Sequence, residues 1–282
     1  MLLREEALVA RHELSRNLRS KKGIAMFVLF VLGGAVPSVL SILIENAERA
    51  AQLDQLSEEQ RREAAEQLLR AFYRGDTAVA HYLSSCPPVL LLLFQITMGI
   101  LPLVALLIGF DQIAGEIQHR AIRYLAGRAH RHSIVIGKAV GVWAVVATMI
   151  LVLHLVVWGV LLVRSDYPAS TVLSWGLRFW AFSVAFAGAY AGLANLVSSW
   201  FKTPILALFI GVGVMFGMWL TRLIVLAVGD RIDAARWIYP ATYEGLMVSP
   251  EPLRALGGCA LSIAWGALAV AAATFIVKRR DL

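Results

Sequence analysis

Between Gly109 and Lys138 the chain gathers most of its clustered groups that could act on a polar partner: Glu116, His119, Arg120, Arg123, Tyr124, Arg128, His130, Arg131, His132 and Lys138. A metal centre would draw on Glu116 and the three histidines, but there is no His-Glu-x-x-His frame and no cysteine nearby. A solvated basic cluster facing headgroups is the simpler account of them. A phosphate cradle needs Gly, four residues, then Gly-Lys-Ser/Thr. Here Gly137-Lys138 is followed by Ala139, and His132 stands five residues before Gly137. The chain also lacks a Gly-x-Ser-x-Gly elbow and paired carboxylates within an apolar run, so nucleophilic and acid–base catalysis have no candidate groups. What remains is docking. Ile113, Ile117, Ala121, Ile122 and Leu125 recur at helical spacing, with Glu116, Arg120 and Arg123 on other faces. Such a helix can lie at a bilayer surface, offer its polar side to a soluble partner, or simply be a solvated loop.

The elements around this segment are apolar. Hydrophobic residues make up 59% of the chain and charged residues 16%, which fits a polytopic membrane protein rather than a soluble domain. Apolar runs cover Ile24–Ile44, Val89–Phe110, Ile134–Val163, Val172–Val197, Pro204–Val228 and Leu256–Val277. Each has the roughly 20 residues that carry a helix across about 30 Å of hydrocarbon. The first is too long for a signal-peptide core and is read as a retained span. The third is longer than a perpendicular helix needs, so it should tilt or project beyond the headgroups. The expected fold is therefore an all-α polytopic membrane protein with six transmembrane helices, forming one transmembrane domain over residues 1–282.

The net charge of +7 does not indicate nucleic acid once it is sorted by loop. Lys and Arg crowd the span ends at residues 4–22, 120–131, 202 and 278–280, whereas acids such as Glu45, Glu58, Asp76, Asp230 and Glu251 dominate the alternate loops. That distribution orients the chain with both termini cytoplasmic, in a plasma or bacterial inner membrane.

Residues 1–23 read as an interfacial amphipathic helix, basic on one side and apolar on the other. Residues 45–88 read as an outer helical hairpin, in which Ser57-Glu-Glu-Gln60 forms a capping box and Gly75-Asp76 ends the helix. It can shield an exit, bind an external partner or cap the spans. Residues 111–133 form the polar loop already described. Residues 229–255, broken by Pro240 and Pro250, read as short outer re-entrant helices before the last span. Asp166-Tyr-Pro168 and Trp200–Pro204 make tight turns on opposite sides. Cys86 and Cys259 both fall near outer span ends, and they are read either as a pair or as two apolar-packed thiols.

Within the spans, Gln95, Thr97, His154 and Asn195 are read as hydrogen-bond partners between helices rather than as ligands. Arg178 and Arg222 lie toward the outer ends and can snorkel, and Arg222 has Glu244 as a candidate partner. Gly188-x-x-x-Gly192 and Gly213-x-x-x-Gly217 permit close helix approach.

The polar loop resembles the intracellular loop of ABC-2 type transporter permeases, the membrane-spanning subunits of one class of ATP-driven transporters. Glu116, Ile122-Arg123-Tyr124-Leu125, Arg128, Arg131 and Gly137-Lys138 fall in the family's register without a gap. Ala121 stands where Thr is usual and Ala129 where Pro is usual. The resemblance implies a non-catalytic permease, with ATP and Mg bound by a separate ABC ATPase subunit and no cofactor held by this chain. It implies a second permease copy, as homodimer or heterodimer, and contact with the ATPase through the N-terminal helix and residues 111–131. Glu116, Arg120, Arg123 and Tyr124 are the expected coupling residues. Six spans with short loops resemble the compact exporter type, and membrane lipids are the remaining partners. The alternative is a membrane anchor that transmits force to an extracytoplasmic protein through the hairpin, moving no substrate.

Overall fold

A computed structural model describes residues 2–50, 63, 66–67, 69–70, 76–121, 124, 127, 129–165, 167–228 and 237–280. Helix α1 covers Leu2–Arg19, and α2 covers Lys21–Ala50. They are followed by α3 (Thr77–Ser84), α4 (Pro88–Gly109) and the one-turn α5 (Ala114–Gln118). The long helices α6 (Arg131–Arg164), α7 (Ala169–Trp200) and α8 (Pro204–Val228) come next. A 3₁₀ turn at Pro240–Tyr243, the short α9 (Glu244–Met247) and α10 (Pro252–Arg279) complete the chain. The described residues are all helical or irregular, and six helices are long and apolar enough to cross a membrane.

Helix α7 is the centre of the bundle, packed by α10, α6 and α4. Its sequence explains the position. Ala185, Ala187, Ala189, Ala191 and Ala194 are all buried and keep that surface shallow, so neighbouring helices approach closely. At its other end an aromatic column fills the space. Phe94 stacks on Phe179 with centroids 4.7 Å apart, Phe179 meets Trp175 at 5.5 Å, and Trp175 meets Tyr82 at 4.8 Å. The Arg178 guanidinium lies over the Tyr82 and Trp175 rings. Helix α8 is the opposite case. Ile205, Phe209, Phe216 and Trp219 are all exposed along it, a surface that suits hydrocarbon or another helix but not water.

The short elements before the last span are present and dock on α10. Tyr243 donates its hydroxyl to Trp237 O at 2.6 Å, and Trp265 of α10 donates its indole N–H to Ile238 O at 3.0 Å. Asp76, read from sequence as part of a helix stop, starts a helix: its carboxylate accepts from the Ala78 and Val79 amides at 3.0 and 3.1 Å and so caps α3, while residues 71–75 lie outside the described residues. The capping box Ser57–Gln60 lies outside the described residues, as do Asp166 and the Arg222 side chain, so the Arg222–Glu244 pairing stays a sequence expectation. Cys86 and Cys259 are both free thiols.

Two expectations about the spans change. A Cβ on Gly213 or Gly217 would meet nothing within 4 Å, so that pair makes no close approach among the described residues. His154 bonds within its own helix, Nδ1 lying 2.9 Å from Ile150 O, with the Trp158 ring set edge-on against it. Asn195 behaves as expected and donates to Val135 O of α6 at 3.3 Å.

Candidate functional site

The polar loop rests on a base made by α1, α5 and the start of α6. Helix α1 lies against α6, where Gly137 and Gly141, four residues apart, remove the side chains that would hold the backbones away. A Cβ on Gly137 would lie 2.6 Å from Val9 Cβ and 2.9 Å from Glu6 O. One on Gly141 would lie 2.5 Å from Glu13 Cβ. The face that α1 turns inward includes Val9, Ala10, Glu13 and Asn17, so it carries two fully buried polar residues as well as apolar ones.

Between those two glycines, Lys138 is sunk into the contact with 1% of its surface exposed. Its ammonium donates to Glu13 Oε1 and, at 2.5 Å, to Glu116 Oε1. Arg16 closes the set, with Nη2 2.7 Å from Glu13 Oε2 in an ion pair and Nη1 3.8 Å from Glu116. Two carboxylates and two cations thus balance, with Lys138 and Glu13 buried, Glu116 largely so and Arg16 reaching to the surface. Charge buried this way adds little to stability against an apolar alternative, but breaking it by removing one partner is costly. Glu116, read from sequence as a docking group, is turned into this cluster.

Further bonds tie the same base to the rest of the bundle. Lys22 of α2 donates to Asp111 Oδ1 at 2.8 Å and to Ile108 O at 3.3 Å, with its ammonium 4.5 Å from the Phe110 ring centre. Ser198 of α7 accepts from the Ile113 and Ala114 amides at 2.9 and 3.1 Å, satisfying donors at the start of α5. Gln112 donates to Lys138 O at 3.3 Å. Arg131 donates to Lys278 O and Arg280 O at 3.3 and 3.0 Å, and Arg280 in turn donates to Trp200 O.

The tip contrasts with the base. The single amphipathic helix expected through Leu125 is interrupted at His119–Arg120. Arg120 adopts φ 57°, the left-handed conformation that ends a helix and that glycine usually supplies. Arg120 is exposed, and Tyr124 is 82% exposed. Arg123 lies outside the described residues. Among the described residues, no three of His, Cys, Asp and Glu converge as metal ligands.

His130 joins the loop to α1, its Nδ1 3.1 Å from Glu5 Oε2 and its amide donating to the same oxygen at 3.4 Å. These hydrogen bonds, the side-chain one foremost, hold the Glu5 carboxyl below its ordinary range. The contact should therefore be intact above the ordinary glutamate value of about 4.3 and weaken as pH falls through the lowered one. Spin labels placed on α1 and beside His130 should separate on acidification, and Glu5→Gln should flatten that response. Separation unchanged in the wild type would exclude this link.

Sequence reasoning reached Lys138 as part of a loop pattern but missed that it is buried, and it missed Glu13 altogether. The available signals were Glu13-x-x-Arg16 in the C-terminal half of a helix whose other charges there are basic, and the Gly137–Gly141 spacing around a lysine.

No curated protein matches the chain. The protein-family model described as ABC-2 family transporter protein matches residues 7–237, which takes in most of α1, the whole polar loop and every span but the last. That span is well over half the sequence, and it coincides with a bundle of long apolar helices: the chain belongs to the ABC-2 family of transporter membrane proteins.

Proposed function

We propose that the chain is the permease of an ATP-driven exporter, coupled to a separate ATPase subunit through α1 and residues 111–131. Family membership implies the permease role and the ATPase partner. The finer reading rests on one observation: an exposed tip, with Arg120 and Tyr124, standing on a base in which Lys138 ties α1, α5 and α6 together. Arg120, Arg123 and Tyr124 contact the ATPase. Glu116 positions them by holding Lys138. Closure of two ATPase subunits around ATP and Mg displaces the tip, the tied helices follow as one body, and the bundle shifts toward its other access state. A second permease copy, identical or similar, completes the assembly, with the polar loop and both termini cytoplasmic.

Tyr124→Ala is expected to weaken assembly with the ATPase by about 2 kcal/mol, roughly thirtyfold, because an exposed aromatic on a fixed base is the kind of residue that carries interface energy. Arg120→Gly keeps the left-handed turn and removes only the cation, so it should lower affinity while leaving the melting temperature of the permease alone unchanged or raised. Titrating the purified ATPase onto each variant checks both. Unaltered affinity in both variants removes the coupling assignment. A Tyr124→Cys protein labelled by an impermeant maleimide from outside intact cells removes the topology with it.

A further inference from the structure

A groove of about 520 Å³ runs between α6, α7 and α10. It falls within the roughly 300–1,000 Å³ of most ligand sites. Its floor is shallow because Ala139, Ala191, Gly192 and Gly266 line it and α7 touches α10 backbone to backbone there. Val140 and Trp143 form one wall, and Ile263, Ala267 and Ala271 form the other. The polar side-chain atoms in this lining are already engaged. Trp143 donates its indole N–H to Val184 O, and Thr274 donates its hydroxyl to Val270 O, each at 2.8 Å. Whatever fills the groove meets hydrocarbon along its length.

One end is different in kind. Lys278 follows Thr274 by one turn of α10 and is exposed, and His132 precedes Ile136 by one turn of α6 and is partly exposed. The two helix ends lie side by side, because Arg131 donates to Lys278 O at 3.3 Å. Toward the other end, no ionisable residue other than Cys259 precedes Ile263 on α10 until Arg254, and none follows Trp143 on α6 until His154. A transmembrane helix of a second copy would have no use for cations at one end alone. A lipid would, since it is apolar along its tail and charged at one extremity.

We propose that this groove holds an acyl chain of an anionic phospholipid, with the phosphate against Lys278 and His132. The site is lined by α6, α7 and α10 and includes none of Arg120, Arg123 and Tyr124, so it does not depend on the coupling mechanism. Native mass spectrometry of the full chain in detergent, titrated separately with phosphatidylglycerol and phosphatidylcholine, tests it. Wild type should bind phosphatidylglycerol about fivefold more tightly, the attraction of about one interfacial cation for an anionic headgroup. Lys278→Gln should bring the two lipids toward equal binding. Ala267→Phe, which fills the groove from an exposed position, should lower retention of both lipids by more than half; Ala271→Phe reads the same effect should the first variant aggregate. Equal binding of the two lipids by wild type, or full retention by both groove-filling variants, overturns the proposal. So does a photo-cross-linker at Ala267 that joins two protein chains instead of capturing lipid.

Discussion

Lys138→Met should unfold the loop end of the bundle, at a cost of about 3–5 kcal/mol, because Glu13 and Glu116 would remain charged and shielded with only Arg16 to offset them. The side chains are of similar length, so little packing is lost and the effect isolates charge. Replacing the set together, as Glu13→Leu, Glu116→Leu and Lys138→Met, should recover most of the loss, since an apolar cluster of like volume needs no compensation. Thermal unfolding of the detergent-solubilised protein followed by gel filtration gives the comparison. If Lys138→Met melts with the wild type, the cluster is hydrated and does not fix α1 to α6. The triple variant is also informative about transport. Near-wild-type stability with lost ATPase stimulation would mean that the charge pairing itself, rather than the strength of the contact, matters for coupling.

Gly192→Val is the second large effect. A Cβ on Gly192 would press on the carbonyl oxygen of Gly266 and lie 2.8 Å from its Cα, and a Cβ on Gly266 would press on the carbonyl oxygen of Gly188. Backbone cannot rotate away as a side chain can, so α7 and α10 must separate along their whole crossing. We expect a loss at or above the upper end of the roughly 1–3 kcal/mol range for overpacked sites. Gly213→Val is the matched control, with nothing within 4 Å of its added carbon. It should leave the folded monomer unaltered. Comparing the two by the same melting assay distinguishes a crossing inside the chain from a surface outside it. Equal losses in the two variants would contradict the arrangement of α7 and α10.

The spans were legible because a membrane helix must be apolar over a fixed length, and six such runs stand out without any knowledge of partners. The short elements after Pro240 were legible for a related reason: proline and polar residues forbid a continuous span there. The base of the loop was much less so. A lysine at the head of an apolar run looks like an interfacial anchor, and only the opposing helix turns it into a buried group. Nothing local to Glu13 announces which side of α1 faces protein, because the face that packs is itself partly polar. The same limit explains Gly188–Gly192 and Gly213–Gly217. Their spacings are identical, yet one meets Gly266 and the other meets nothing among the described residues. Spacing specifies what can pack closely but not what arrives to do so. Arg120 was hidden too, since a left-handed arginine has no sequence mark.

Helix α6 runs 34 residues without a proline, about 51 Å at 1.5 Å per residue. The same rod carries Lys138 in its second turn and, much farther along, Trp158, which fits against Gly176 of α7 at the opposite pole of the molecule. A stiff lever of that length needs only a few degrees of tilt at its clamped foot to sweep its head sideways by several ångström. A modest push at one surface is thus magnified at the other, with no chain of small rearrangements needed in between.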